Sequence, residues 1–254
     1  STKKSNSTPT LTNTPINTAC CNQAFYYNLG AIDTLDYDSF SYSMAQAKID
    51  PTSMHAYDSP FTPRYPLTPY CVTTTTIKCT PDPKANPPKG IYFSESTGDL
   101  IFTPKKCDEF TLFVIGVTEW RKDTSNAWVK IGYTQRDIEF LTVDNCGYNN
   151  SPSIDGNEIS KICEGETIKI KVSSNDETYV PFQTVPDTTA LNWNSGIPGA
   201  QFTIAKKSDW PDKRKAYGEF QWTPPIGSAS DVPYSFNVTV TDKHCPVPSS
   251  STRT

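Results

Sequence analysis

The feature that most constrains this chain is an internal repeat. Residues 98–104 read Gly-Asp-Leu-Ile-Phe-Thr-Pro, and residues 218–224 read Gly-Glu-Phe-Gln-Trp-Thr-Pro. Further on, Phe-Val-Ile-Gly-Val-Thr-Glu at 113–119 is matched by Phe-Asn-Val-Thr-Val-Thr-Asp at 236–242. Upstream, Cys21-Asn22-Gln23 loosely parallels Cys163-Glu164-Gly165-Glu166. Two matched segments in the same order mean two copies of one unit in tandem. Each copy has the same local logic. A glycine ends a turn, an alternating strand follows, and Thr-Pro closes it, because proline cannot donate to a ladder. The Val-Thr-Asp/Glu segment has the pattern of a strand from the middle of a sheet.

The rest of the chain agrees with strands. Alternating or β-rich runs occur at 91–93, 100–103, 110–118, 127–133, 137–143, 167–172, 200–204, 219–223 and 234–241. Turn clusters at 96–98, 145–152, 194–198 and 224–230 separate them. One helix-like stretch, 42–49, stops at Asp50-Pro51. The expected fold is all-β: two tandem antiparallel Ig-like β-sandwich domains, 15–146 and 147–248. The first carries a long loop at 50–89 and an extra hairpin at 120–146. An extended arm, 1–14, and a linker, 249–254, flank them. An ordered arm would pair with the edge of a neighbouring module or chain. The 12 Phe and 13 Tyr suffice for a core in each domain. The sequence starts at Ser1 without Met, as in a processed chain or a piece of a longer one.

Composition removes several function classes. A net charge of -4 makes nucleic acid a poor partner. No run of about 18 apolar residues offers a membrane helix, so membrane insertion is not expected. The eight cysteines include no CxxC pair, which points to disulfides in an oxidising compartment rather than zinc or thioredoxin-like chemistry. Cys163 and Cys245 bracket the second domain and are expected to bridge. Cys146 closes the first against Cys20 or Cys21, Cys71 and Cys79 staple the long loop, and Cys107 takes the other of the adjacent pair. Eight cysteines allow about 105 pairings, so the order within the first domain stays open.

Catalysis finds little support. The two histidines, His55 and His244, lie in loop-like segments, and no GxSxG, HExxH or phosphate loop exists. The chain is not expected to be an enzyme. No cofactor is required, although Asp33, Asp36 and Asp38 are candidate ligands for calcium, which takes six to eight hard oxygens. The plain alternative is an Asp-rich turn with local Asx bonds. Of the five Trp, Trp222 sits in the repeat strand where Phe102 stands and should be buried. Trp128 and Trp210, flanked by polar residues, are candidate sugar-stacking faces.

Several motifs carry a resemblance. Residues 21–25, Asp36-Tyr37-Asp38-Ser39-Phe40-Ser41-Tyr42-Ser43, 98–104, Val117-Thr118-Glu119-Trp120-Arg121 and Asn149-Asn150-Ser151-Pro152 resemble the Ig/PKD/cadherin-like modules of large Bacteroidota surface proteins. Residues 197–200, 218–224 and 238–245 fit the same pattern. That family's loop usually reads Asp-Pro-Asp-Gly-Asp-Ser-Leu, whereas here it is longer and lacks Gly and Pro. The resemblance implies type IX secretion cargo: a structural or adhesive, extracellular, cell-surface segment of a gliding-motility adhesin or filament. Its partners would be neighbouring modules and surface glycans. It also implies that Thr34 and Thr188, each following Asp, match an O-glycan signal. A carbohydrate-binding accessory module is the alternative function.

Overall fold

The strands form where side chains alternate between a core and solvent. In the strand 238–241, Val238 and Val240 are buried while Thr239 and Thr241 are half-exposed. In the strand 217–222, Phe220 and Trp222 point inward and Gln221 outward. A computed structural model describes residues 5–36, 38–71, 77–144, 146–244 and 248–254. The chain divides into two units, Ser1–Asp144 and Asn145–Thr254.

Unit 1 contains β1 (Thr10–Leu11), β2 (Thr18–Cys20), β3 (Phe25–Tyr27), β4 (Ala31–Ile32), β5 (Ser39–Met44), β6 (Ile91–Phe93), β7 (Leu100–Phe102), β8 (Phe110–Lys122) and β9 (Trp128–Val143). One sheet has the order β2-β9-β8-β5, a second β3-β7-β6, and β1 pairs with β4. All pairings are antiparallel except β2 with β9. Both larger sheets feed one core, which includes Phe25, Tyr27, Phe93, Phe102, Phe113 and Phe140. Phe102, Phe113 and Phe140 touch one another at ring distances of 5.2–5.7 Å, contacts worth roughly 0.5–1.5 kcal/mol each beyond area burial. The long loop contributes Leu67, fully buried in the same core.

Unit 2 contains β10 (Ser153–Gly156), β11 (Ile168–Asn175), β12 (Ala190–Trp193), β13 (Gln201–Ile204), β14 (Tyr217–Trp222), β15 (Val238–Thr241) and β16 (Ser250–Arg253). Its sheets run β10-β11-β14-β13 and β12-β15-β16. Val172 from one sheet and Leu191, Val238 and Val240 from the other share a core. Each unit therefore has the layering of a β-sandwich. As expected from the repeat, β8 and β15 lie between two neighbours in their sheets.

Four expectations change. The helix-like stretch 42–49 is strand at its start, because Tyr42 pairs with Val117 in β5 and buries its ring. The hairpin is not an addition after the repeat strand: β8 itself runs on to Lys122 and turns directly into β9. The described part of the arm pairs within its own unit rather than with a neighbouring module or chain, since Thr10 and Leu11 face Ile32 and Ala31. Residues 249–254 are not a linker, since β16 pairs with β15 from Val238 to Thr241.

Candidate functional site

The ladders of the two units correspond residue for residue. Phe25 and Tyr27 face Phe102 and Leu100, as Ile168 and Ile170 face Trp222 and Phe220. Thr10 and Leu11 face Ile32 and Ala31, as Ser153 and Ile154 face Asn175 and Ser174. Tyr42 faces Val117, as Leu191 faces Val240. Counting along these registers matches Asp33 with Asp176, Asp38 with Asp187, Glu119 with Asp242 and Arg121 with His244. Asn6-Ser7-Thr8-Pro9 matches Asn149-Asn150-Ser151-Pro152, and Cys20 matches Cys163. The charged loops at one pole of the sandwich are thus built twice from the same positions.

In unit 1 the pole is organised by Arg121, at the end of β8. Its Nε donates to Asp38 Oδ1 at 2.6 Å and its Nη2 to Asp38 Oδ2 at 2.7 Å. The Asp38 side chain is only 1% exposed, so this forked pair is shielded from solvent. Nη2 also lies 3.4 Å from Asp36 Oδ2 and donates to Asn6 Oδ1 at 3.2 Å. Asp33 closes the loop, accepting the N–H groups of Leu35, Asp36 and Asp38. Burial alone would raise its pKa, but those N–H groups outweigh burial and hold it below the usual range. Asp36 accepts both the hydroxyl and the N–H of Ser7 at 2.7 Å, which hold its pKa down. Burial pushes Glu119 the other way, while Asn6 donates to it at 3.3 Å.

The three predicted calcium ligands do converge, with one oxygen from each within 4.8 Å of the others. A cation already stands among them, however. Calcium would have to displace the Arg121 guanidinium and the donors bound to Asp33 and Asp36, so the donor set as arranged fits an arginine rather than a hard ion. Sequence reasoning missed Arg121 because it lies 83 residues from Asp38.

In unit 2 the same position holds His244. Its Nδ1 is 2.9 Å from Asp187 Oδ2 and its Nε2 is 3.0 Å from the Gly147 carbonyl. Gln183 buttresses the pair, donating from Nε2 to Asp187 at 2.6 Å and accepting the Tyr179 N–H at 2.6 Å. Burial would lower the His244 pKa, but the Asp187 and Gly147 partners outweigh it and raise it. Asp242 accepts the N–H groups of His244 and Ser249 and the Asn149 amide. Burial raises its pKa. Asp176 is 6% exposed, and its Oδ2 accepts the Asp187 N–H while its buried Oδ1 has no partner. Burial, with Asp242 and Asp187 nearby, pushes it up to about 6.

The remaining candidates are scattered. Cys21 bridges to Cys107 and Cys71 to Cys79, and Cys20 and Cys146 are each disulfide-bonded. Cys146 therefore does not pair with Cys21. Cys163 is an exposed free thiol, with residues 160–164 in no sheet, whereas its counterpart Cys20 sits in β2. Its expected partner, Cys245, lies outside the described residues. The three disulfides fit an oxidising environment, and no described helix is long and apolar enough to cross a membrane. Trp210 is not a stacking face. Its ring is packed in the unit 2 core at 8% exposure, and Nε1 donates to the Ala205 carbonyl. Trp222 is buried as expected, and Trp128 is 42% exposed with Lys122 over its ring. Thr34 is exposed beside Asp33, while Thr188, next to Asp187, is half-buried. His55 is exposed in its loop, and its ring Nδ1 meets the neighbouring Ala56 carbonyl.

No family model and no curated protein matches the chain. The poles themselves can do two things chemically. They anchor each unit's entry segment to its sandwich through charge-assisted hydrogen bonds, and in unit 2 they can hold or release protons near neutral pH.

Proposed function

We propose that the chain is a structural, adhesive-type segment of a large extracellular surface protein, built from two Ig-like modules that bear load. The observation that carries this reading is the duplicated pole. In both units a basic side chain at or just past the end of the central strand ties a carboxylate, buried in unit 1 and half-buried in unit 2, to the segment by which the chain enters the sandwich. A module that is pulled at its ends benefits from such anchoring, and disulfides limit how far it can extend. The resemblance to Bacteroidota surface modules extends the reading to an adhesin or filament exported by type IX secretion and linked to gliding. Nothing in it calls for catalysis.

Stretching single chains tests it. The oxidised protein should unfold in two steps, one per module. Reduction should lengthen the first module's step by about 280 Å or more, the contour of the 86 residues spanned by Cys21–Cys107. A chain that extends without discrete steps, or whose length ignores reduction, refutes the load-bearing role. The exposed Trp128 favours carbohydrate binding as the second reading. A glycan-array signal abolished by Trp128→Ala would support that reading instead.

A further inference from the structure

We propose that His244 is a proton-operated latch that fastens the entry segment of unit 2 to its sandwich, where unit 1 uses Arg121 as a permanent fastener. The geometry is the same in outline. Arg121 joins the carboxylate of Asp38 to Asn6 of the unit 1 entry segment. His244 joins the carboxylate of Asp187 to the carbonyl of Gly147, in the unit 2 entry segment. The chemistry differs. A guanidinium keeps its charge at any ordinary pH, whereas an imidazole is a double donor only when protonated.

Nε2 of His244 faces the Gly147 carbonyl at 3.0 Å, and Nδ1 faces the Asp187 carboxylate at 2.9 Å with the Gln183 amide nitrogen, which also donates to Asp187, 3.0 Å away. The neutral ring carries one N–H, and the charged Asp187 carboxylate, the stronger acceptor, holds it on Nδ1, so the Gly147 contact loses its hydrogen bond. The imidazolium satisfies both. The surrounding titratable groups reinforce this preference. Asp187, from the loop before β12, and Asp242, from the end of β15, both favour the charged ring, and Asp176, at the end of β11, stands near those two carboxylates. Gln183 binds Asp187 from the same side. The latched segment also places Tyr148 against Phe182 at 4.1 Å and Tyr179 at 5.9 Å, and Asn150 against the Thr178 carbonyl. Losing the His244 bond to Gly147 would weaken the end from which these contacts start.

The sign follows from linkage. The folded His244 pKa is raised, so the protonated, latched form is favoured by folding. Its contribution is complete below the ordinary histidine pKa and is lost as pH rises through the raised one. The entry segment of unit 2 should therefore be tighter at mildly acidic pH, while that of unit 1 does not change in this window through Arg121.

The test is amide hydrogen exchange of Tyr148, Asn149 and Asn150 in the full chain between pH 5.5 and 8, corrected for intrinsic rates, with NMR titration of the His244 ring. Protection should rise about tenfold on acidification, the scale of one charge-assisted hydrogen bond, and should track the ring titration. His244→Arg should make protection high and pH-independent, and His244→Gln should make it low throughout. Two results would overturn the proposal. One is wild-type protection that is flat across this range while the ring titrates. The other is a His244→Arg chain that keeps the wild-type pH dependence, which would assign the effect to Asp176 and Asp242.

Discussion

Arg121→Ala should be among the most damaging single substitutions in unit 1. The change removes two charge-assisted bonds to Asp38, at 2.6 and 2.7 Å, and the contacts with Asp36 and Asn6. The lost attraction is the smaller part of the effect. What matters more is that the Asp38 carboxylate, 1% exposed, would be left without its partner in a site that water hardly reaches. Stranding one partner of a buried pair costs about 3–5 kcal/mol, against about 0.2–1 kcal/mol for a pair on the surface. For a unit of this size that corresponds to a melting shift of roughly 10–15 °C. Calorimetry of the full chain should show the unit 1 transition falling by that amount while the unit 2 transition stays in place. Adding Asp38→Asn should restore most of the loss, because it removes the stranded charge. A loss below about 1 kcal/mol would show that the pair behaves as a surface pair. A double variant worse than Arg121→Ala alone would show that charge burial is not the cause.

Asp176→Asn should stabilise unit 2 at pH 8 and change little near pH 4. The folded pKa of about 6 lies above the ordinary value of 3.8, so the wild-type group contributes stability that is lost as pH rises through 6. The unit 2 melting temperature against pH measures this, and a variant curve parallel to the wild type would contradict it. Unit 1 should respond oppositely at low pH. Asp33 and Asp36 are held below the usual range, so their contribution is lost as pH falls below about 4. Reducing Cys21–Cys107 should cost about 4–5 kcal/mol in the chain-entropy account, read as a lower urea midpoint for unit 1. Trp210→Ala should destabilise unit 2 by about 3–5 kcal/mol through a core cavity, whereas Trp128→Ala should leave both transitions within about 0.5 kcal/mol.

What could be read from the residues was local or repeated. The Thr-Pro strands and the central Val-Thr strands appear where two-residue alternation and a second copy both mark them, and Trp222 could be placed inward because Phe102 occupies the matching position. The start of each module was present too, as Asn6-Ser7-Thr8-Pro9 and Asn149-Asn150-Ser151-Pro152, but four small polar residues carry no periodicity. Only the pairing of Thr10 with Ile32 and of Ser153 with Asn175 shows that they play one role. Tyr42 illustrates the tertiary override of a weak local preference: its ring fills the sandwich, and the ladder with Val117 decides the backbone. Trp210 has polar neighbours in sequence yet reaches the core, because the short turn Lys207–Asp209 leads into it and its indole N–H finds the Ala205 carbonyl.

The acidic loop shows most clearly why a site needs its distant partners. Asp33, Asp36 and Asp38 look the same whether they hold a metal, a guanidinium or only their own backbone. Three carboxylates at close range demand a counter-charge in any case, and the choice of counter-charge sets the behaviour. Unit 1 supplies it from the end of β8 as an arginine, whose own charge does not change near neutrality. Unit 2 supplies it from the matching position as a histidine, and leaves Asp176 partly unsatisfied nearby. The same fold position thereby becomes a fixed joint in one module and a titratable one in the next, a difference made by one side chain and legible only once the two registers are aligned.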